Sequence, residues 1–292
     1  VAVSETVDLT AEDANSLLGA ATGTVGTTTV TGAGTFNVDF GAATTVGNID
    51  LSGMDATTSA STITLNSATT SGLTYTGSSG GDTFTSGSGA DTITAGLGID
   101  TITGGDGADS IDLTESTAAA DTVIITDDDN VDTITGFTTT GADDIISISL
   151  DAINTELGQN LLDFEADATA GAVVVHTIAE GQDEAVDAGG NLVYFSDTDN
   201  NAVLAGDTYA AGSAGFIFNL DSATAQNNGD AILAIFYDAD GGFANLGYLV
   251  DSASTDDDHF TSQDCTFTSL AHITMSTTVY GQLDANNFVI SA

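Results

Sequence analysis

Apolar and polar residues alternate along most of this chain in runs too short for helices. Between Thr22 and Thr76, the stretches "GTTTVTG", "GTFNVDF", "NIDLSG" and "STITLNS" carry a period of two. Successive side chains of a strand point to opposite faces, and threonine, valine and isoleucine fit a pleated surface, so these stretches predict short strands. A helix is predicted at "TAEDANSLLGAA", where Thr10 and Asp13 form a capping-box pattern, Leu17 and Leu18 give the apolar contact and Gly19 ends it. A second helix is predicted at "DAINTELGQNLLDF", beginning at Asp151. Beyond Glu165, "AVVVHTI", "NLVYFS", "GFIFNL", "AILAIFYD" and "NLGYLV" are apolar strand candidates separated by acidic glycine turns. They predict a β-rich C-terminal domain with few short helices.

From Gly77 to Asp112 the pattern sharpens to a period of nine. "GSSGGDTFT", "SGSGADTIT", "AGLGIDTIT" and "GGDGADSID" follow one another without a gap. The fourth position is always glycine (Gly80, Gly89, Gly98, Gly107), the sixth aspartate (Asp82, Asp91, Asp100, Asp109) and the eighth apolar (Phe84, Ile93, Ile102, Ile111). A three-residue strand with its central side chain inward fits the last three positions. The six before it form a turn, where glycine permits positive φ. Two nines make one coil, so the pattern predicts Asp82 stacked over Asp100 and Asp91 over Asp109, about 4.8 Å apart. Bare carboxylates at that spacing repel one another unless a cation lies between them.

Charge sharpens the point. The 292 residues include 43 acidic side chains and no Lys or Arg, a formal charge of -43. Yet 41% of residues are hydrophobic and the mean hydropathy is +0.16, which separates this chain from acidic disordered tails. Self-repulsion on this scale opposes a compact state and has no internal counter-charge. A salt-adapted surface is the plain explanation; ligation is the more specific one. Calcium takes six to eight oxygens, and carboxylates with turn carbonyls suit it. The expected cofactor is therefore Ca2+, as several ions. The carboxylates of Asp82, Asp91, Asp100 and Asp109 would hold them, with the turn residues Gly77, Ser79, Gly80, Ser86, Ser88, Gly89, Ala95, Leu97, Gly98, Gly104, Asp106 and Gly107. Partial sites are expected at Asp121, Asp132 and Asp143, which keep the Asp-x-apolar element without the glycines. A separate site is expected at Asp238 and Asp240 in "YDADGG", while "STDDDHF" (Asp256 to Asp258) reads as a solvated turn.

Other chemistry is poorly represented. His176, His259 and His272 fit no zinc spacing, and without Lys or Arg there is no Schiff-base lysine or arginine clamp. No pair of carboxylates stands out from the rest, so the chain is not expected to be an enzyme. Cys265 is alone, which excludes an internal disulfide and predicts a buried thiol. Nucleic acid and anionic membrane surfaces would be repelled. No apolar run approaches the roughly 20 residues that cross a bilayer as a helix, so membrane insertion is not expected. The start at Val1 points to a processed or truncated product.

The nonapeptide block resembles the RTX repeat, G-G-x-G-x-D-x-U-x, of calcium-binding β-rolls. "GGDGADSID" matches every position, and the other copies depart only at the first two (Gly77-Ser78, Ser86-Gly87, Ala95-Gly96). "VDTITGFTTTGADDIISISL" is similar to the segment that ends such rolls, and "IFYDADGGFANLGYLV" to a strand and acidic turn of secreted RTX proteins. "LDANNFVISA" is similar to their uncleaved type I secretion signal. The stretch from "NIDLSG" to "FTSG" resembles the solenoid of RTX-bearing bacterial surface-layer proteins.

The resemblance implies an all-β fold: a parallel β-solenoid or β-roll with stacked calcium-binding turns, then the β-rich domain. Its expected segments are a Thr/Gly-rich solenoid (1–76), the roll (77–150) and the C-terminal domain (151–292). It further implies an extracellular protein at the bacterial cell surface. Its partners would be copies of itself, in a layer, sheath or filament, and cell-surface polysaccharide. Two alternatives stay open: a secretion and display module of a larger adhesin or enzyme, and an ice-binding solenoid suggested by the threonine columns.

Overall fold

The computed structural model describes residues 7–10, 23–32, 36–39, 43–54, 61–64, 72–126, 130–149, 175–178, 183–186, 192–196, 217–220, 231–239, 241–251, 259–261 and 265–291. The protein is mostly β, with parallel sheets and few helices. Thr10, expected to cap a helix, ends the strand Val7–Thr10. The rest of that predicted helix and all of the one starting at Asp151 lie outside the described residues. The chain divides into two compact units, Val1–Ser147 and Ile148–Ala292.

In the first unit the strands pair in parallel, and each skips its neighbour in sequence. Thr83–Thr85 pairs with Ser61–Thr64 before it and Thr101–Thr103 after it, while Thr92–Thr94 pairs with Thr74–Thr76 and Ser110–Asp112. One ladder thus runs Val7–Thr10, Thr28–Gly32, Ile49–Met54, Thr74–Thr76, Thr92–Thr94, Ser110–Asp112, Asp132–Thr135. The other runs Phe36–Asp39, Ser61–Thr64, Thr83–Thr85, Thr101–Thr103, Thr122–Ile125, Ile145–Ser149.

The register aligns the apolar eighth positions. Tyr75, Ile93, Ile111 and Ile134 are register partners in one ladder, and Ile63, Phe84, Ile102 and Val123 in the other. Tyr75, Phe84, Ile93, Ile102, Ile111, Val123 and Ile134 are all fully buried. Burying each such side chain stabilises by about 1.5–3 kcal/mol. Tyr75 stacks on Phe84 with ring centroids 4.0 Å apart, a contact between the two ladders. Threonines flank Tyr75, Phe84, Ile93, Ile102 and Ile134 on both sides, because alternate side chains leave the core. Thr74, Thr83 and Thr92 are exposed.

The second unit is built differently. Ala231–Asp238, Phe243–Asp251 and Cys265–Thr274 form an antiparallel meander, joined at its first turn by Gly242 with φ 72°. Leu192–Phe195 pairs in parallel beside Ala231–Asp238, and Val175–Ile178 beside Leu192–Phe195. A short helix, Thr277–Tyr280, starts where the Ser276 side chain accepts the Val279 N–H. It delivers Tyr280 into the core, fully buried, with its hydroxyl 2.7 Å from the Phe195 carbonyl and 3.1 Å from that of Ile235. Tyr194 returns a hydrogen bond to the Tyr280 carbonyl at 3.1 Å.

Candidate metal centre

Each nonapeptide turn ends on an aspartate whose carboxylate reaches back to a backbone amide 18 to 21 residues earlier. Asp100 Oδ1 accepts the backbone N–H of Asp82 at 2.6 Å, and Asp109 Oδ1 accepts that of Asp91 at 2.8 Å. The same bond continues past the repeat: Asp121 accepts from Asp100 (2.8 Å), Asp132 from Asp109 (2.9 Å) and Asp144 from Asp121 (2.9 Å). At the start, Asp82 accepts from Ser61 and Asp91 from Leu73, both at 2.8 Å. Two files of carboxylates result, Asp82–Asp100–Asp121–Asp144 and Asp91–Asp109–Asp132. Within the block the partners are 18 residues apart. The carboxylate therefore satisfies an amide that lies just before a strand, where the ladder offers it no partner.

The last two turns use the left-handed conformation that only glycine takes readily. Gly105 has φ 88°, and a Cβ there would stand 2.0 Å from the Gly87 carbonyl oxygen one coil away. Gly96 and Gly98 of the third turn, and Gly107 of the fourth, also have positive φ, whereas Gly80 and Gly89 of the first two turns do not. The third copy departs from the repeat at Ala95 yet shares the left-handed glycines of the fourth, whereas the first two copies have a different turn geometry. Coils are held close by turn hydrogen bonds, Leu97 N–H to the Ser78 carbonyl (3.1 Å) and Asp106 N–H to that of Gly87 (3.0 Å).

The second carboxylate oxygens have different fates. Asp82 Oδ2 accepts the Ser78 N–H at 2.7 Å, and the Ser86 hydroxyl donates to Asp91 Oδ2. Asp144 Oδ2 accepts from the Thr138 amide (2.7 Å) and hydroxyl (3.1 Å). Asp100 Oδ2 and Asp121 Oδ2 are buried with no hydrogen-bond partner. Burial pushes the Asp100 carboxyl up to about 8, and the charges of Asp121, Asp82 and Glu115 push it the same way. Burial raises Asp121 to about 7, with Asp144 and Glu115 adding to the effect. Asp82, Asp91 and Asp144 are also raised by burial, against the pull of their hydrogen bonds. Such positions demand either a proton or a cation.

No family model, no curated protein and no solved structure matches the chain.

The donor set fits a hard cation. Asp100 Oδ2 and Asp121 Oδ2 are buried carboxylate oxygens without hydrogen-bond partners, and oxygen donors are what calcium takes. Among the described residues, no three His, Cys, Asp or Glu side chains gather into a metal-holding group. A cation in these turns would thus draw much of its shell from backbone oxygens. Of the expected turn residues, Gly77, Ser86, Gly89, Ala95 and Gly104 are buried, and Ser79, Gly80, Ser88, Gly98 and Gly107 are half-buried. Leu97 and Asp106 are exposed.

The last rung is held by Asp144, fully buried, and not by Asp143, which is exposed. "DDII" satisfies the Asp-x-apolar element in two registers, and burial of Ile146 at 0% exposure selects the later one. Asp238 belongs to the second unit, where its Oδ1 accepts the Gly241 N–H at 2.8 Å, closing a turn. Asp240 lies outside the described residues. His272 stacks on Phe243 with ring centroids 4.1 Å apart, and burial lowers its pKa. His259 and His176 occupy the strands His259–Thr261 and Val175–Ile178. Among the described residues, no helix is long and apolar enough to cross a membrane. Glu115, which the sequence reading passed over, joins this region from outside the repeat. The signal for it was the spacing from Asp109 to Asp121, longer than nine.

Proposed function

We propose that this chain is an extracellular structural protein, a β-roll of the RTX kind that folds around calcium and assembles with its own copies at a bacterial cell surface. The observation that carries the reading is the pair of buried, unpartnered oxygens on Asp100 and Asp121, in a chain with no Lys or Arg. Asp82, Asp100 and Asp121 along one edge, and Asp91, Asp109 and Asp132 along the other, would hold the ions with the turn carbonyls. Bound calcium would neutralise stacked carboxylates while their Oδ1 atoms keep the amide bonds between coils. Because the sites exist only when coils are stacked, binding energy is folding energy. Millimolar extracellular calcium suffices for weak sites, and a chain this acidic would stay unfolded where calcium is scarce.

Self-assembly is supported by the ends of the ladders. Val7–Thr10 and Phe36–Asp39 are end strands among the described residues. Lysine and proline, which commonly block pairing at sheet edges, are absent from the chain. The test is circular dichroism of the full chain in chelator and through a calcium titration, followed by electron microscopy. Calcium-dependent gain of β-structure with ordered lattices or fibres is the expected result. A spectrum unchanged by chelation would defeat the calcium reading, and monodisperse monomers in calcium would defeat the assembly reading.

A further inference from the structure

The antiparallel meander of the second unit has two faces of unlike character. One carries Leu233, Ile235, Leu246, Ala271 and Ile273, all fully buried. On the other, register sets Phe236, Asn245 and His272 side by side across the three strands, with Asp238, Phe243 and Thr274 on the adjacent rung. Alternate residues of a strand share a face, and direct cross-strand neighbours stand about 4.5–5.5 Å apart at Cβ. Phe243 stacks on His272 with ring centroids 4.1 Å apart, and Phe267 meets Phe236 edge-on at 4.9 Å. Gly247 lets that second contact form. A Cβ there would stand 2.5 Å from Phe267 Cζ, so the Phe267 ring lies across the glycine that follows Asn245 on this face. Rings therefore surround Asn245 on all four sides.

Asn245 is 3% exposed, whereas Phe243, Phe267 and His272 are half-buried, so the rings and not the amide front the surface. The Asn245 Oδ1 is buried and, among the described residues, has no hydrogen-bond partner. An orphaned amide oxygen destabilises, and an apolar side chain of the same shape would avoid it. The arrangement points to a donor that arrives from outside. With no Lys or Arg in the chain, and with burial lowering His272 so that its imidazole is neutral at pH 7, this face has no cation to hold an anion. A peptide strand would add at a sheet edge, but Phe243–Asp251 is already paired on both sides. Uncharged hydroxyls fit. They donate to an amide oxygen, to the acceptor nitrogen of a neutral imidazole and to a carboxylate such as Asp238. A sugar ring presents such hydroxyls together with C–H groups, which pack on the negative faces of aromatic rings.

We propose that this face of the second unit binds an uncharged saccharide, a sugar hydroxyl donating to Asn245 Oδ1 while a C–H face of the sugar packs on Phe243 and Phe267. The site stands apart from the calcium reading, because it uses none of the aspartates of the two files. Rotation of the half-buried rings opens the way to the amide, and side-chain movement over a fixed backbone is the usual response of a protein to binding. A second copy of the chain, seated on the same rings, is the competing occupant.

The test is binding of the labelled full chain to an array of neutral oligosaccharides built from hexoses, N-acetylhexosamines and 6-deoxyhexoses, printed beside sulfated and uronic acid counterparts. Wild type is expected to bind neutral glycans. Asn245→Leu, which removes the orphaned acceptor, should bind them about tenfold more weakly or less, with no fall in thermal midpoint. Phe243→Ala should weaken binding likewise. Wild type that binds no neutral glycan, or binds acidic ones alone, overturns the proposal; so does neutral binding that both variants keep in full. Self-association that Phe243→Ala abolishes, with no glycan bound, gives the face to a second copy and overturns it too. If neither variant folds, the side-chain amide signal of Asn245 in 15N-labelled wild type decides. A shift of that signal on adding the array's best-bound oligosaccharide supports the site, and a still signal while others move overturns it.

Discussion

Replacing Asp100 by Asn should change sign with calcium. Asp100 Oδ1 accepts the Asp82 N–H at 2.6 Å, while Oδ2 is buried without a partner. Asparagine keeps an oxygen for the amide and removes the charge. The folded carboxyl is pushed up to about 8 from an ordinary 3.8. A group raised in the folded state contributes stability that is full below about pH 4 and lost as pH climbs through about 8. At pH 7 the metal-free fold must hold a proton that the unfolded chain has released across about three pH units. At 1.36 kcal/mol per unit, that costs about 4 kcal/mol. Asp100→Asn should therefore stabilise the metal-free protein by up to about 4 kcal/mol at pH 7 and flatten its acid dependence. In calcium the same change removes a charged ligand, so it should destabilise. Circular dichroism at pH 5 and pH 7 reads both effects, as residual β-structure in chelator, where the variant should keep more than wild type, and as the urea midpoint in calcium, where it should keep less. Equal destabilisation in the two conditions would refute the reasoning, because it would make the carboxylate a structural acceptor only.

Other substitutions probe the stack and the second unit. Gly105→Ala places a Cβ 2.0 Å from the Gly87 carbonyl at a φ of 88°, so it should destabilise by at least about 1–2 kcal/mol in thermal melts. Asp144→Ala strips the acceptor from the Asp121 and Thr138 amides and should cost about 1–3 kcal/mol, whereas exposed Asp143→Ala should stay within about 0.5 kcal/mol. Tyr280→Phe leaves two buried carbonyls without the hydroxyl and should cost about 1–3 kcal/mol, seen as a lower urea midpoint.

The parallel register of residues 74–112 was legible because Phe84, Ile93, Ile102 and Ile111 sit nine apart and only one face can be buried. That strict period placed Asp82 with Asp100 and Asp91 with Asp109. It did not disclose that the carboxylates accept amides along the stack, since a repeat records which residues recur and not which atoms they meet. Past Asp112 the rule weakened. At "DDII" two registers satisfy the same short pattern, and only packing of Ile146 separates Asp144 from Asp143. Glu115 was hidden for a related reason: it accepts the Gly98 N–H from 17 residues away, and nothing in a linear pattern joins a loop to the turn it covers.

The carboxylate-to-amide bonds all run one way, each later aspartate reaching back to an earlier coil. The stack is consequently polar, like a zip whose teeth close only when the following tooth arrives. Removing a coil from the downstream end would strand an amide on the one before it, whereas removing an upstream coil would merely free a carboxylate. Shortened versions of this chain should therefore tolerate loss from the two sides unequally.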